Sequence, residues 1–290
     1  MKIFCNLLKQ RLGKALVLLG FAVVATQSHA WVRVATTNGV YFTDTNWSVP
    51  WFTGEMRGSW GTPSQISTSN IGERSVMVNT AGVPFIQLTG YNSYIQLTLP
   101  PSEKGLQRVA ISPDAKAIYG VSNNNVLYYA DISIPYSVTY NNVKWVSILS
   151  PVKDVTVSTN YVYAVSTSGS VWAAVKTNMS TGWARVPAGG YLTSISSGKH
   201  PSGVDLIWGT GGDGNIWVKG ENPSASWSAL PGGNDVRTGN WLDVSPDPTS
   251  YMVWARDKWN GVFLIDYTNW PNTSSSWQNI RATSVTGYVR

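Results

Sequence analysis

Small aliphatic residues followed by an aromatic or large apolar residue recur along this chain at nearly constant spacing. The pairs are Val40-Tyr41, Pro84-Phe85, Val126-Leu127, Val171-Trp172, Ile216-Trp217 and Val262-Phe263, and their second members stand 44, 42, 45, 45 and 46 residues apart. The stretches around the pairs alternate side chains as half-buried strands do. The unit around Val155 shows the plan. Val155–Ser158, Tyr161–Val165, Val171–Val175 and Gly182–Val186 predict four strands. Between the second and third, Ser166–Ser170 is turn chemistry, with Gly169 able to take positive φ. A repeat of this length built from four strands is the mark of a β-propeller, one blade per repeat.

Three other units follow the same order. Val109–Ser112, Ile118–Val121, Val126–Tyr129 and Lys144–Val146 form one. Leu192–Ser196, Leu206–Gly209, Ile216–Val218 and Ser226–Ser228 form the next. Leu242–Val244, Met252–Trp254, Val262–Ile265 and Ser276–Gln278 form the last. A Trp recurs on four consecutive fourth strands, as Trp145, Trp183, Trp227 and Trp277. An earlier unit is degenerate: Ile66, Val76–Val78, Phe85–Leu88 and Tyr94–Leu97 carry it, with Tyr94 in place of the Trp. The first opens on a second-type strand, Trp31–Val34, followed by Val40–Phe42. Its missing first strand can come from the tail, Ser284–Val289. The expectation is an all-β, six-bladed β-propeller of four-stranded antiparallel blades, closed by N- and C-terminal strands so that no sheet edge stays open. Five blades would require the second unit to be an insertion.

Residues 1–30 stand apart. Lys2, Lys9, Arg11 and Lys14 precede an apolar run from Ala15 to Ala25, too short to span a bilayer, and Ser28-His29-Ala30 offers small residues at a cleavage site. This predicts a secretory signal peptide cleaved after Ala30, and a single propeller domain over 31–290 in the periplasm or outside the cell. The whole chain carries a net charge of +6. Four of its positive charges and no acid lie in the leader, which leaves +2 on the mature part. With no run of basic residues there is no electrostatic case for nucleic acid. Nor does any later apolar stretch predict membrane insertion. Cys5 is the single cysteine, so the mature part is expected to hold together without disulfides.

The pattern V-x-V-S, V-[YW]-x-V, G-x-[VI]-[YW], [GS]-W-x-x-[VIL] resembles the tectonin, or tachylectin-type, propeller repeat. Val155–Val186 matches best and Ile195–Leu230 next, and the resemblance covers roughly the last two thirds of the chain. It implies a propeller of six or so blades. Known members are mostly secreted or surface lectins that recognise microbial glycans, and some are interaction scaffolds. A second resemblance competes: Val109–Tyr119, and in part Ser245-Pro-Asp247, look like the blade opening of lactonase-like and periplasmic envelope-complex propellers.

The inventory for catalysis is poor. The mature part has no cysteine, and His200 is its only histidine, in a loop. Sites needing several His or Cys ligands are excluded, and Asp213-Gly214-Asn215 is a hairpin turn rather than a calcium loop. Asp114, Asp243 and Asp247 sit near blade openings, where acids cap turns. No catalytic residue, metal or cofactor is expected, although fifteen acidic residues leave a propeller hydrolase open. Sugar binding asks for aromatic faces and polar side chains. All fifteen Trp lie past residue 30. Those in phase on strands serve blade packing; those outside the phase are candidate contacts. The predicted ligand site is Trp259 with Arg256, Asp257 and Asn260 in a charged hairpin turn, then Trp60 and Trp241. The expected partners are glycans or cell-surface polysaccharide. The alternative is an envelope or extracellular scaffold that binds a protein.

Overall fold

A computed structural model describes residues 31–36, 39–44, 54–56, 61, 63–69, 74–87, 94–133, 143–187, 191–200, 202–230, 241–246, 252–258, 262–266 and 276–280. Side chains are described between 61 and 258, Met252 excepted. The leader of residues 1–30 and the tail strand predicted at Ser284–Val289 lie outside the described residues.

The described chain is β throughout, apart from a 3-10 turn at Lys176–Asn178. Strands β1 (Trp31–Thr36), β2 (Gly39–Asp44) and β3 (Gly54–Met56) form a three-stranded sheet. Next come β4 (Pro63–Thr68), β5 (Ser75–Asn79), β6 (Pro84–Gln87) and β7 (Tyr94–Gln96). The third set is β8 (Leu106–Ile111), β9 (Ala117–Ser122), β10 (Leu127–Asp131) and β11 (Val146–Leu149). The fourth is β12 (Val152–Val157), β13 (Tyr161–Ser166), β14 (Val171–Val175) and β15 (Ala184–Arg185). The fifth is β16 (Leu192–Lys199), β17 (Asp205–Gly211), β18 (Ile216–Gly220) and β19 (Ser228–Ala229). The last is β20 (Trp241–Pro246), β21 (Met252–Asp257), β22 (Val262–Asp266) and β23 (Ser276–Ile280). Each set of four is one antiparallel sheet in chain order, so the degenerate second unit is a full sheet. First strands β4, β8, β12, β16 and β20 touch in succession, which is a propeller arrangement of four-stranded blades. The second members of the recurring pairs fall on third strands and, in the three-stranded sheet, on β2. That sheet therefore holds second, third and fourth positions. In keeping with this, β1 touches β4 as β5 touches β8 and β17 touches β20.

Alternation along the second strands sorts side chains into two interfaces. On β13, Val162 and Ala164 pack with Tyr119, Val121 and Leu127 of the preceding sheet. Tyr163 and Val165, between them, pack with Leu192, Ile195 and Ile207 of the following one. On β17, Ile207 faces back, while Leu206 and Trp208 pack with Trp241, Val244 and Val253. Both faces of an interior sheet are thus buried. At about 1.5–3 kcal/mol for each large side chain, this burial is the main force stacking the sheets.

Polar latches fix how they stack. In the second to fifth sheets the turn between second and third strands contains a residue in the left-handed region: Gly82 (φ 79°), Asn125 (63°), Gly169 (88°) and Gly214 (74°). Its carbonyl accepts the amide that opens the next sheet. Leu106 donates to Gly82 at 2.8 Å, Val152 to Asn125 at 2.7 Å, Leu192 to Gly169 at 3.0 Å and Trp241 to Gly214 at 3.3 Å.

Two expectations need correction. Trp145, Trp183 and Trp227 stand one residue before their fourth strands, and only Trp277 lies within one. The reason is that the indole is anchored outside the ladder: Trp145 Nε1 donates to the Thr98 carbonyl (2.7 Å) and Trp183 Nε1 to the Met179 carbonyl (2.8 Å). Trp241, taken as out of phase, is in phase. It opens β20 as Leu106, Val152 and Leu192 open theirs, and is 5% exposed in the core between the fifth and sixth sheets.

Candidate functional site

The first strands share a second device. At their second residue the register slips, leaving Ser64, Gln107, Lys153, Thr193 and Leu242 bulged. Next in line are Gln65, Arg108, Asp154, Ser194 and Asp243, a set of polar residues at the same level of successive first strands. Two of them bridge to the next sheet through its main chain. Gln65 Nε2 donates to the Val109 carbonyl (2.8 Å) and its Oε1 accepts from the Val109 amide. Asp154 Oδ2 accepts from the Ile195 amide (2.9 Å) and its Oδ1 from the Val155 amide (2.9 Å).

The remaining charges gather there. Arg108 Nε lies 3.9 Å from Asp154 Oδ1. Arg256 is the cross-strand partner of Asp243; its Nε donates to Asp243 Oδ2 at 2.6 Å and its Nη2 pairs with the same oxygen. Asp154 and Asp243 are 1% and 2% exposed. Burial holds the Asp243 carboxyl above the usual carboxylate range, opposed by Arg256 and Arg108 and reinforced by Asp154. Two buried acids interleaved with two guanidinium groups avoid the cost of an isolated buried charge.

Above this cluster opens a pocket of about 480 Å³. The starts of first strands supply Arg108, Thr193, Trp241, Leu242 and Asp243; second strands and their turns supply Gly211, Gly212, Gly214, Arg256 and Lys258. Antiparallel pairing puts these two kinds of end on one side of the molecule. Residues from the third, fifth and sixth sheets meet in one cavity because the first strands converge. Beside the lining Gly212, whose amide donates to the Tyr191 carbonyl (2.6 Å), Tyr191 is 71% exposed and lays its ring edge next to Gly169.

Of the six predicted ligand residues, Trp241 and Arg256 line this pocket. The turn expected to carry Arg256 and Asp257 in solvent starts later: both are on β21, and Asp257, opposite Trp241, is 3% exposed. Strand pairing extends to Asp257 because Trp241 needs a partner across the ladder. Trp259, Asn260 and Trp60 lie outside the described residues. Asp114 caps a turn as expected, accepting from Ser112 Oγ (2.5 Å). Asp243 does not; it is a buried strand residue paired with Arg256. Asp247 lies outside the described residues. His200 Nδ1 accepts from the Ser202 amide (3.1 Å) within its own turn. The Asp213 turn is closed by Asn215, whose amide and side chain both donate to the carboxylate at 3.0 Å. Burial raises the Asp213 carboxyl, but these bonds and that from Trp217 hold it below its ordinary value. Arg108, Asp154 and Lys258 were missed from sequence. Two of them share a signal of phase: Arg108 and Asp154 take the same place after the bulge in consecutive repeats.

The fold is similar to one in a crystal structure of a nidogen–laminin complex, with a TM-score of 0.58 at 9% sequence identity, covering 81% of this chain and 89% of that one. In all 1457 solved chains match, so the architecture is widely shared and does not itself specify a function. No protein-family model matches the chain, and no curated protein matches it.

Proposed function

We propose that this chain is a non-catalytic, lectin-like propeller of tectonin type, exported after cleavage at Ala30, that takes a saccharide at the first-strand pocket. One observation carries the reading: a concave site of about 480 Å³ combines guanidinium and ammonium groups, glycine main chain and apolar walls from Trp241 and Leu242. A pyranose needs these elements, an apolar face to stack and donors for its hydroxyls. Binding of the purified protein to a glycan array, weakened roughly 3- to 10-fold by the pocket-lining substitution Lys258→Ala, is the expected result. An array without signal beside a positive control would overturn it.

The same proposal includes a ring of six blades, with Ser284–Val289 supplying the innermost strand beside β1. Support comes from the three-stranded sheet, which among the described residues holds no strand in that position. Deleting residues 284–290 should then lower Tm by roughly 5 °C or more by leaving β1 with an open edge. An unchanged Tm would remove the closure.

The second reading is a protein-binding scaffold of the envelope or extracellular space. It is favoured by the nidogen–laminin neighbour, a propeller-like structure solved as a complex of two proteins. Capture of one stoichiometric protein that no saccharide displaces would select it.

A further inference from the structure

Tyr191 is the most exposed large hydrophobic side chain among the described residues. It stands between the fourth and fifth sheets, and its main chain is clamped on both sides. Its carbonyl accepts from the Gly212 amide (2.6 Å), and the next amide, that of Leu192, donates to the Gly169 carbonyl (3.0 Å). Its Cβ and one ring edge rest beside Gly169, where an added Cβ would come within 2.9 and 3.2 Å of them. The side chain thus rises from a fixed base. Among the described residues nothing hydrogen-bonds its hydroxyl or stacks on its ring. Packing does not require that ring. The same place ahead of β8 is held by Gly105, which lies against Gly82 and whose carbonyl accepts from the Asn123 amide (3.0 Å). Ahead of β12 it is held by Pro151.

Gly212 connects the ring with the pocket. It lines the pocket, it is exposed, and a Cβ built there would meet only Tyr191 within 4 Å. No side chain stands at this position to bar a ligand that crosses from the pocket toward the ring. The next residue, Asp213, is also exposed, and its Oδ2 accepts one bond, from the Asn215 side chain (3.0 Å), which leaves that oxygen room for a hydroxyl donor. We infer that Tyr191 is a second subsite, outside the pocket, which stacks the pyranose next to the one held inside, so that the ligand is an oligosaccharide rather than a single sugar. This rests on the saccharide reading of the pocket. The tyrosine face meets the apolar C–H face of the ring. Its clamped base keeps the entropy cost of ordering it low.

The test is titration of the purified protein with glucose, mannose and N-acetylglucosamine, each as a series from the monosaccharide to the linear tetrasaccharide. In the series that binds, affinity should rise roughly 3- to 10-fold on going from the monosaccharide to the longer members. Tyr191→Ala should abolish that rise and leave monosaccharide affinity in place, while Tyr191→Phe should keep the rise. Alanine retains the Cβ beside Gly169 and both main-chain bonds, and an unchanged Tm checks the fold. Equal affinity at every length, or a rise that survives Tyr191→Ala, would overturn the second subsite and leave the pocket reading intact. Loss of monosaccharide binding in Tyr191→Ala would overturn it too, by placing the ring at the first sugar. Binding by none of the series would remove both.

Discussion

Gly169 shows how much one backbone angle carries. Its φ of 88° turns its carbonyl to the Leu192 amide, and a Cβ there would come within 2.9 Å of Tyr191 Cβ. Gly169→Ala should therefore cost about 1–2 kcal/mol, seen as a lower urea midpoint with an unchanged slope. Lys219 is the second case. It is 1% exposed, donates to the carbonyls of Asn222 (2.7 Å) and Pro223 (3.0 Å), and lies over the rings of Tyr163 (5.4 Å) and Trp227 (5.7 Å). Burial pushes its ammonium down to about 8. Between about 8 and 10.5 the unfolded chain binds more protons than the folded one, so stability rises with pH across that window and is lost as pH falls back to about 8. Denaturation at pH 8 and at pH 10 should show a gain of about 2 kcal/mol in the native chain and none in Lys219→Met. Above pH 10 the sign reverses. Burial raises the Tyr163 hydroxyl, so the unfolded chain releases that proton first and stability falls.

At the scale of elements, the bulge and the polar residue after it weld neighbouring sheets. Gln65→Leu leaves both the amide and the carbonyl of Val109 without their partner, and should cost about 2–4 kcal/mol by equilibrium unfolding. First, second and third strands were legible in sequence because both faces are buried, which keeps their apolar pattern dense. Fourth strands were less so. β15 and β19 are two residues long and exposed, so little constrains their side chains, and the Trp that marks them sits just outside. Trp241 was misplaced for a related reason. The opening position holds Leu106, Val152, Leu192 and then Trp241, alike in burial but not in residue type. The site was half legible: Arg256 and Trp241 belong to it, but Arg108 comes from a repeat far off in sequence, and only convergence of the first strands brings it there.

For the molecule as a whole, the Arg108, Asp154, Asp243 and Arg256 cluster joins the third, fourth and sixth sheets at one level. Removing one partner strands a buried charge. Arg256→Met should destabilise by about 3–5 kcal/mol, while Arg256→Met with Asp243→Leu should restore most of that loss. Thermal and urea unfolding of the single and double variants give the comparison, and equal losses in the two would rule out the charge explanation.

The carbonyl-to-amide latches have an evolutionary corollary. They are made wholly by main-chain atoms, so they ask of the sequence little more than a residue tolerant of the left-handed region at one place per repeat. A scaffold fastened in that way can exchange most side chains without losing its form. Two chains sharing 9% of their residues can then still superpose, and the surface between the fasteners is left open to selection for new ligands.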